Sequence, residues 1–196
     1  VSDYYATLDK INVPTTVSGR VTAELEMAEP GKFAATNPEI YGQGSFSKKA
    51  DCNGYEVIVD TKGTLLWPDA ADMEKPYLIL TGENVTKEYL DYLDGQHISW
   101  IACGKKNVDL VRAVEILSEK FHVERMGIVG GPKINTAFLK AGLLDEISIL
   151  IGAGIDGRGG MPAVFDGLEM SHDVTALKLT DVQKFDSGAV WIRYAV

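Results

Sequence analysis

The sequence predicts a layered α/β domain with a largely parallel sheet, and three observations support that prediction. From residue 77 onward, short apolar runs rich in β-branched residues alternate with segments of helical period. Glycine or proline stands at several junctions between these segments, as is typical of helix starts and ends. Residues 174–184 and 189–196 instead flank Asp186-Ser187-Gly188, which predicts an antiparallel hairpin that finishes the sheet.

The first 76 residues contain fewer regular segments. In chain order they predict a helix over 3–11, a strand over 16–18 and a helix from Arg20. Residues 29–53 are rich in Pro, Gly, Asn and Ser, and a loop of that length is usually functional or mobile. Residues 55–60 and 64–67 are separated by the turn residues 61–63 and predict a hairpin.

The alternating part of the chain predicts four strands and three helices. The strands are expected over 77–81, 98–103, 125–129 and 147–151, and the helices over 86–93, from a cap at Asn107 to 121, and over 132–141. One helix has an apolar stripe at spacings of four, three and four residues, formed by Leu110, Val114, Leu117 and Phe121. Pro132 fits a first helical position, and Gly95 and Gly142 fit helix ends.

The composition excludes several classes of protein. With 19 Lys and Arg against 28 Asp and Glu, the formal net charge is −9, and no basic stripe is present that would bind nucleic acid. No apolar run approaches the ~20 residues of a membrane span and no signal peptide leads the chain, so we expect a cytoplasmic protein without membrane partners. Cys52 and Cys103 lack the spacing of a disulfide framework or a zinc site and are expected to be reduced thiols. Because no linker or repeat divides the chain, residues 1–196 are predicted to form one domain.

A glycine motif follows the strand over 147–151. Residues 152–157 match G-x-G-x-x-G, the pattern of a dinucleotide-binding turn. That turn requires a helix whose amino terminus faces the pyrophosphate, whereas residues 158–162 contain no helix start. The sequence therefore favours a flexible loop, in which Arg158 is a candidate contact for an anionic ligand.

A second glycine pair has the better context for a phosphate. Gly130 and Gly131 follow a strand and precede Pro132 at a helix start. The unpaired N–H groups and the helix dipole at such a start favour an anion by about 0.3–1 kcal/mol per exposed charge. A tight turn without a ligand is the alternative.

Two more junctions between a strand and the next segment carry polar or basic residues. Gly19-Arg20-Val21-Thr22 offers a guanidinium and a hydroxyl, and Gly104-Lys105-Lys106 offers two ammonium groups, although solvated surface residues are the alternative in both places. Ligands of α/β sheets bind outside the carboxyl ends of the strands. Three such turns therefore predict a nucleotide cleft at that edge.

Other candidate groups are weaker. Asp145 and Glu146 fit either an acid pair that faces the cleft or a solvated turn. The three histidines have no partners at metal-ligand or nucleophile spacing, and no serine lies in a G-x-S-x-G elbow; the histidines are His97, His122 and His172. The sequence predicts neither a metal site nor a catalytic triad.

With these residues placed, the chain resembles the reductase domain of riboflavin biosynthesis, the C-terminal part of the bifunctional deaminase-reductase. The matching blocks are Gly19-Arg20-Val21-Thr22 and residues 98–104, 129–135, 138–146, 165–167 and 188–194. The last two blocks are similar to stand-alone members of the family, and the zinc deaminase signature does not occur in the sequence.

The resemblance implies a dihydrofolate-reductase-like three-layer sandwich, with a mixed, mostly parallel sheet and an antiparallel C-terminal hairpin. It also implies a homodimer, NADPH as cofactor and hydride transfer to the ribosyl carbon of 5-amino-6-(5-phosphoribosylamino)uracil. The implied cofactor-binding residues are Gly19, Arg20, Thr22, Thr81, Gly104, Lys105, Gly130, Gly131, Pro132 and Asn135, with Gly104 and Lys105 near the adenosine end. Glu146 and Arg158 are candidate substrate contacts, and no residue is assigned as catalytic.

Two departures from the family pattern keep other functions open. Biosynthetic members often carry an acidic residue where this chain has Val129, which favours a folate or small carbonyl substrate as an alternative. Family members also begin with a strand and a Ser-x-Asp-Gly turn, so this chain is expected to lack the first N-terminal strand. That expectation makes a non-catalytic nucleotide-binding module a third hypothesis.

Overall fold

The computed structural model of this protein describes residues 2–161 and 163–196. The helices are α1 Ser2–Ile11, α2 Arg20–Glu26, α3 Lys87–Gly95, α4 Leu110–Phe121 and α5 Pro132–Lys140. The strands are β1 Thr15–Gly19, β2 Ser45–Ser47, β3 Glu56–Val59, β4 Tyr77–Thr81, β5 Ser99–Ala102, β6 Met126–Ile128, β7 Glu146–Ile151, β8 Lys178–Lys184 and β9 Val190–Ala195. The predicted α/β class is confirmed.

Six strands form a mostly parallel sheet in the order β2-β5-β4-β3-β1-β6. Strand β2 pairs antiparallel with β5, whereas every other neighbouring pair in this sheet is parallel. The carboxyl ends of the five parallel strands therefore lie at one edge, which we call the carboxyl edge. The predicted junctions at Gly19, Gly104 and Gly130 all lie there, because each follows one of these strands.

Helices cover both faces of the sheet, so that the strands are buried between two apolar layers. On one face, α2 and α3 pack against Ile58 and Ile79. On the other, α4 and α5 pack against Val57 and Leu78. The predicted stripe on α4 points into this second layer, with Leu117 buried at 1% exposure. Burial of each such side chain contributes about 1.5–3 kcal/mol to folding.

The predicted hairpin over residues 55–67 is wrong. Strand β3 bonds β1 on one side and β4 on the other, so neither of its edges is free for a returning strand. The buried Asp60 carboxylate instead accepts the N–H groups of Thr64 at 2.7 Å and Leu65 at 3.0 Å, which turns the chain sharply. Leu65 and Trp67 then enter the apolar layer beneath α3 rather than an antiparallel pair.

The predicted loop over 29–53 contains a short edge strand, β2, that the sequence does not indicate. Unlike a mobile loop, this segment is also held by hydrogen bonds to the domain. The Glu88 carboxylate in the first turn of α3 accepts the N–H groups of Thr36 at 2.8 Å and Asn37 at 2.7 Å. Hydrogen bonds at Thr36 and Asn37 therefore fix the long loop to α3.

The cap of α4 is Asp109 rather than the predicted Asn107. The Asp109 carboxylate accepts the N–H of Arg112 at 3.0 Å, which satisfies one of the free donors of the first turn. The two preceding residues are used in the turn after β5. Gly104 adopts φ +90° there, and a β-carbon on it would lie 2.6 Å from the Asp109 nitrogen.

The predicted C-terminal hairpin is confirmed, but it does not finish the large sheet. Strands β8 and β9 form it around Gly188, which has φ +86°. Strand β7 joins them, giving a separate antiparallel sheet in the order β7-β9-β8. Helix α1 lies against this second sheet, since the Lys10 ammonium is 5.5 Å from the ring centre of Phe185 and 5.6 Å from that of Trp191.

Between β6 and β7 lies a cleft with a volume of about 720 Å³, which we call the β6–β7 cleft. Residues of α1 and α4 also line it, and most of its lining side chains are apolar. Cys52 and Cys103 are free thiols, as predicted. Within the described ranges, no helix is long and apolar enough to cross a membrane.

Candidate functional site

Two of the predicted strand-to-helix turns meet at the carboxyl edge. A β-carbon on Gly130 would lie 2.9 Å from the backbone nitrogen of Gly19, 3.3 Å from the Cα of Ser18 and 2.5 Å from the Cγ2 of Ile134. Only glycine fits at position 130 without movement of the backbone. The turn that opens α2 and the turn that opens α5 therefore form one continuous backbone surface.

The amino terminus of α5 is open toward this surface. Gly131 is the N-cap and makes no capping hydrogen bond through a side chain, while Pro132 occupies the first turn. The free N–H groups of such a turn are a binding site for an anion such as a phosphate. The predicted roles of Gly130, Gly131 and Pro132 are thus compatible with the local geometry.

Helix α5 also holds the segment around residue 165 over this surface. The Asn135 Nδ2 donates to the carbonyl of Val164 at 2.8 Å, and the Thr136 hydroxyl accepts the N–H of Asp166 at 2.9 Å. One predicted cofactor residue therefore also positions part of the wall of the site.

Three buried polar atoms have no hydrogen-bond partner among the described residues. They are the Ser18 Oγ, the Thr81 Oγ1 and the Asn135 Oδ1. A buried polar group without a partner costs about 1–3 kcal/mol, so a bound molecule that pairs with these atoms would recover that free energy. Thr81 and Asn135 belong to the predicted cofactor set, whereas Ser18 was missed. In the sequence, Ser18 is recognisable only as a hydroxyl residue of a strand, directly before Gly19.

The first turn of α2 contributes less charge than the sequence indicates. The guanidinium of Arg20 donates to the Glu24 carboxylate at 2.6 Å, one helical turn further along. Thr22 is half-buried on the same turn. A ligand would have to compete with Glu24 for the predicted Arg20 contact.

Gly104 and Lys105 lie in a different hollow, at the end of β5, with a volume of about 600 Å³. Three strand intervals separate β5 from β1, which places this hollow roughly 14 Å from the Gly19 turn. Burial, followed by the nearby Asp109, raises the pKa of the Cys103 thiol in its wall to about 11. Cys103 is therefore a neutral thiol rather than a nucleophile.

The structure does not bring the two predicted substrate residues together. Glu146 lines the β6–β7 cleft beside Gly130, but its carboxylate is engaged by Arg193, with both nitrogen-to-oxygen distances at 2.8 Å. This pairing raises the pKa of Arg193. Arg158 is exposed and paired with Asp156, two residues before it.

Residues 152–157 form an irregular exposed loop, and residues 158–161 and 163–177, which are described, contain no helix, so the helix that a dinucleotide-binding turn requires is not seen there. In the part of the chain that the structure describes, no group of three or more His, Cys, Asp or Glu side chains could hold a metal ion. His97 pairs with Asp69 at 2.9 Å on the exposed surface.

The amino-acid sequence also matches a known protein family. The sequence profile described as the RibD C-terminal domain matches residues 20–191. The chain belongs to this family. The resemblance drawn from the glycine turns is therefore confirmed, and the RibD C-terminal domain includes most of the carboxyl edge.

Solved structures with the same fold come from chains longer than this one. A pyrimidine reductase-like protein from Corynebacterium diphtheriae has a TM-score of 0.66 and 17% identity, over 94% of this chain and 76% of its own. RibD from Acinetobacter baumannii has a TM-score of 0.61 and 19% identity, over 93% of this chain and 47% of its own. A Thermotoga maritima protein, described as a diaminohydroxyphosphoribosylaminopyrimidine deaminase and 5-amino-6-(5-phosphoribosylamino)uracil reductase, has a TM-score of 0.60 and 17% identity, over 97% and 48%. This chain spans about half the length of the latter two.

Proposed function

We propose that this protein is an NADPH-dependent reductase of the riboflavin-pathway type. The observation that supports this best is the contact between the Gly19 and Gly130 turns, with three unpartnered buried polar atoms in the surrounding elements. A dinucleotide offers the phosphates, hydroxyls and amide that such a surface would bind.

The proposed placement of the cofactor follows the carboxyl edge. The pyrophosphate would lie at the amino terminus of α5, against Gly130 and Gly131, where donors are free. Thr81, Ser18 and Asn135 would pair with polar groups of the cofactor, and Lys105 would lie toward its adenosine end. When bound, the reduced nicotinamide supplies the hydride. The residues of this chain hold and orient it and keep water out, so that no nucleophilic side chain is required.

The proposed substrate is the one named for the Thermotoga maritima protein, 5-amino-6-(5-phosphoribosylamino)uracil. A folate or another small carbonyl compound is a second candidate, because biosynthetic members of the family often carry an acidic residue where this chain has Val129. Glu146 and Arg158 remain proposed substrate contacts. Glu146 would have to exchange its Arg193 partner for such a contact.

Titration with NADPH and NADH tests the proposal. We expect quenching of tryptophan fluorescence and an increase in unfolding temperature, since a ligand at 100 times its Kd stabilises a protein by about 2.7 kcal/mol. Oxidation of NADPH in the presence of the pyrimidine, a folate or a carbonyl panel then separates the substrates. Binding without turnover of any of them would identify a non-catalytic module, and no binding of either nucleotide would overturn the proposal.

We also propose a homodimer formed through the second sheet. The register places apolar residues opposite one another on one face, with Ile149 and Val182 both opposite Ile192 and Leu179 opposite Tyr194. Leu179 and Val182 are 54% and 53% exposed, respectively. An apolar sheet face with that exposure favours association.

A further inference from the structure

The hollow at the end of β5 contains a carboxylate whose position bears on cofactor choice. We propose that Glu83 is a specificity-determining residue: it accepts a hydrogen bond from the 2′-hydroxyl of the adenosine ribose and disfavours a phosphate at that position. This inference rests on the proposed function, because it assumes that a nicotinamide dinucleotide lies along the carboxyl edge. It adds that the protein binds NADH as well as NADPH.

Backbone hydrogen bonds hold Glu83 in place beyond the end of β4. Its N–H donates to the carbonyl of Gly104 at 2.8 Å, and its own carbonyl accepts the N–H of Gly42 at 2.8 Å. The carboxylate oxygen Oε1 accepts the N–H of Gly104 at 3.1 Å. The side chain is thus fixed by one oxygen, and the hydrogen bonds among the described residues leave the other oxygen, Oε2, available to a ligand.

The other charged groups in this hollow are mostly engaged. The Asp109 carboxylate caps α4, and the Arg112 guanidinium donates to Glu115 at 2.7 Å. Lys105 makes no ion pair within the described ranges, and its turn is held by the side-chain amide of Asn84, which donates to the Lys105 carbonyl. The hollow therefore presents one carboxylate oxygen and one ammonium group to a ligand.

The Glu83 carboxylate and the Lys105 ammonium have opposite effects on the relative affinity for NADH and NADPH. A carboxylate accepts a hydrogen bond from a ribose hydroxyl, as in other dinucleotide sites, but repels the two negative charges of a 2′-phosphate. The Lys105 ammonium attracts the phosphate and interacts less with the hydroxyl. We expect their opposition to leave the wild-type protein with Kd values for NADH and NADPH within roughly tenfold of each other.

Glu83→Gln removes the negative charge but keeps the shape of the side chain, and the amide oxygen can still accept the Gly104 N–H. We expect the ratio of the NADH Kd to the NADPH Kd to rise roughly tenfold in Glu83→Gln, measured by tryptophan fluorescence titration. Asp91→Asn removes an exposed carboxylate on α3 that does not line the hollow, and we expect its ratio to match that of the wild type.

Lys105→Gln supplies an independent measurement if Glu83→Gln fails to fold. We expect it to weaken NADPH binding several-fold and to leave the NADH Kd unchanged. If both nucleotides bind but neither variant shifts the ratio, the inference is overturned while the proposed reductase stands. If the wild-type protein binds neither nucleotide, the proposed function fails, and this inference fails with it.

Discussion

Gly130 lies so close to Gly19 that a β-carbon at position 130 would be 2.9 Å from the Gly19 nitrogen. Gly19 ends β1, Gly130 lies two residues after the neighbouring parallel strand β6, and the helices that follow them lie on opposite faces of the sheet. A β-carbon at position 19 would lie 3.7 Å from its nearest neighbour, in ordinary contact with Ile134, whereas one at position 130 would separate the turns. The absence of one at position 130 is therefore what makes a single surface out of two strand ends.

Replacement of Gly130 by alanine tests this relationship. The new methyl group must displace the backbone of Gly19 or the Ile134 side chain, so we expect a loss of about 1–3 kcal/mol in the free energy of unfolding. The NADPH Kd should rise at least tenfold, because the separated turns no longer match one ligand. Denaturant melts and fluorescence titration measure the two effects.

Two matched variants control this experiment. Gly131→Ala places its methyl group where no atom lies within 4 Å, and its φ of −72° suits alanine, so we expect a stability change within about 0.5 kcal/mol. Gly95→Ala, at the end of α3, should leave NADPH binding unchanged. Equal stability losses at 130 and 131 would contradict the steric argument.

Much of the fold follows from local patterns in the sequence. Strands β3 to β6 lie in short, largely apolar segments of the sequence, and the Pro132 and Gly142 signals place α5 to within one residue. Sheet membership does not follow from such patterns. Whether β8 and β9 extend the large sheet or join β7 depends on which edges are free, and that is a property of the assembled fold.

The sequence predicts only those residues of the candidate site that stand at a recognisable local backbone feature. Gly130 and Gly19 stand at strand-to-helix junctions and were identified from the sequence, whereas Ser18 and Glu83 were not. Ser18 matters because its hydroxyl has no hydrogen-bond partner in the part of the chain that the structure describes, and Glu83 because it bonds Gly104, 21 residues later. Both properties arise from packing between distant segments.

Gly63 provides a test of the turn that replaces the predicted hairpin. It has φ +64°, and a β-carbon there would lie 2.6 Å from Val85 and against the ring of Tyr89. We expect Gly63→Ala to cost roughly 2–5 kcal/mol, the sum of left-handed strain and overpacking. Gly142→Ala is the control, because Gly142 has φ +67° but open space around it, and should cost about 1–2 kcal/mol. Similar losses in the two variants would show that packing against Tyr89 is unimportant.

The anchor of the long loop should depend on pH. The N–H of Asn37, followed by the contacts from Thr36, lowers the pKa of the Glu88 carboxyl below its ordinary value. A lowered pKa means that the anchor is fully present above the ordinary value for glutamate, about 4.3, and is lost as the pH falls through the lower folded value. We expect protection of the Thr36 and Asn37 amides from hydrogen exchange at pH 6, and its loss only after the pH has fallen below the ordinary glutamate value. Glu88→Gln should weaken this protection at pH 6, and unchanged protection in that variant would refute the assignment.

The two thiols should differ in reactivity. Burial holds Cys103 in its neutral form, whereas Cys52 is only half-buried. At pH 8 we expect a thiol reagent to modify about one equivalent in the folded protein and the second only after unfolding. Cys52→Ser should remove the first equivalent. Rapid reaction of both thiols would contradict the buried position of Cys103.

The second sheet makes a prediction about assembly. Leu179 and Val182 lie on the face that also carries Ile149, Ile192 and Tyr194, and the opposite face contacts α1 through Trp191. A stable dimer buries about 800 Å² on each partner, with an apolar centre, and a charge placed in that centre is costly. We therefore expect the wild-type protein to sediment as a dimer and the double variant Leu179→Lys, Val182→Lys to sediment as a folded monomer.

Ala71→Lys is the control, because it adds a charge at an exposed position outside the second sheet and should leave the dimer intact. A wild-type monomer at micromolar concentration would refute the homodimer, and a dimer that survives both lysines would place its interface on another surface.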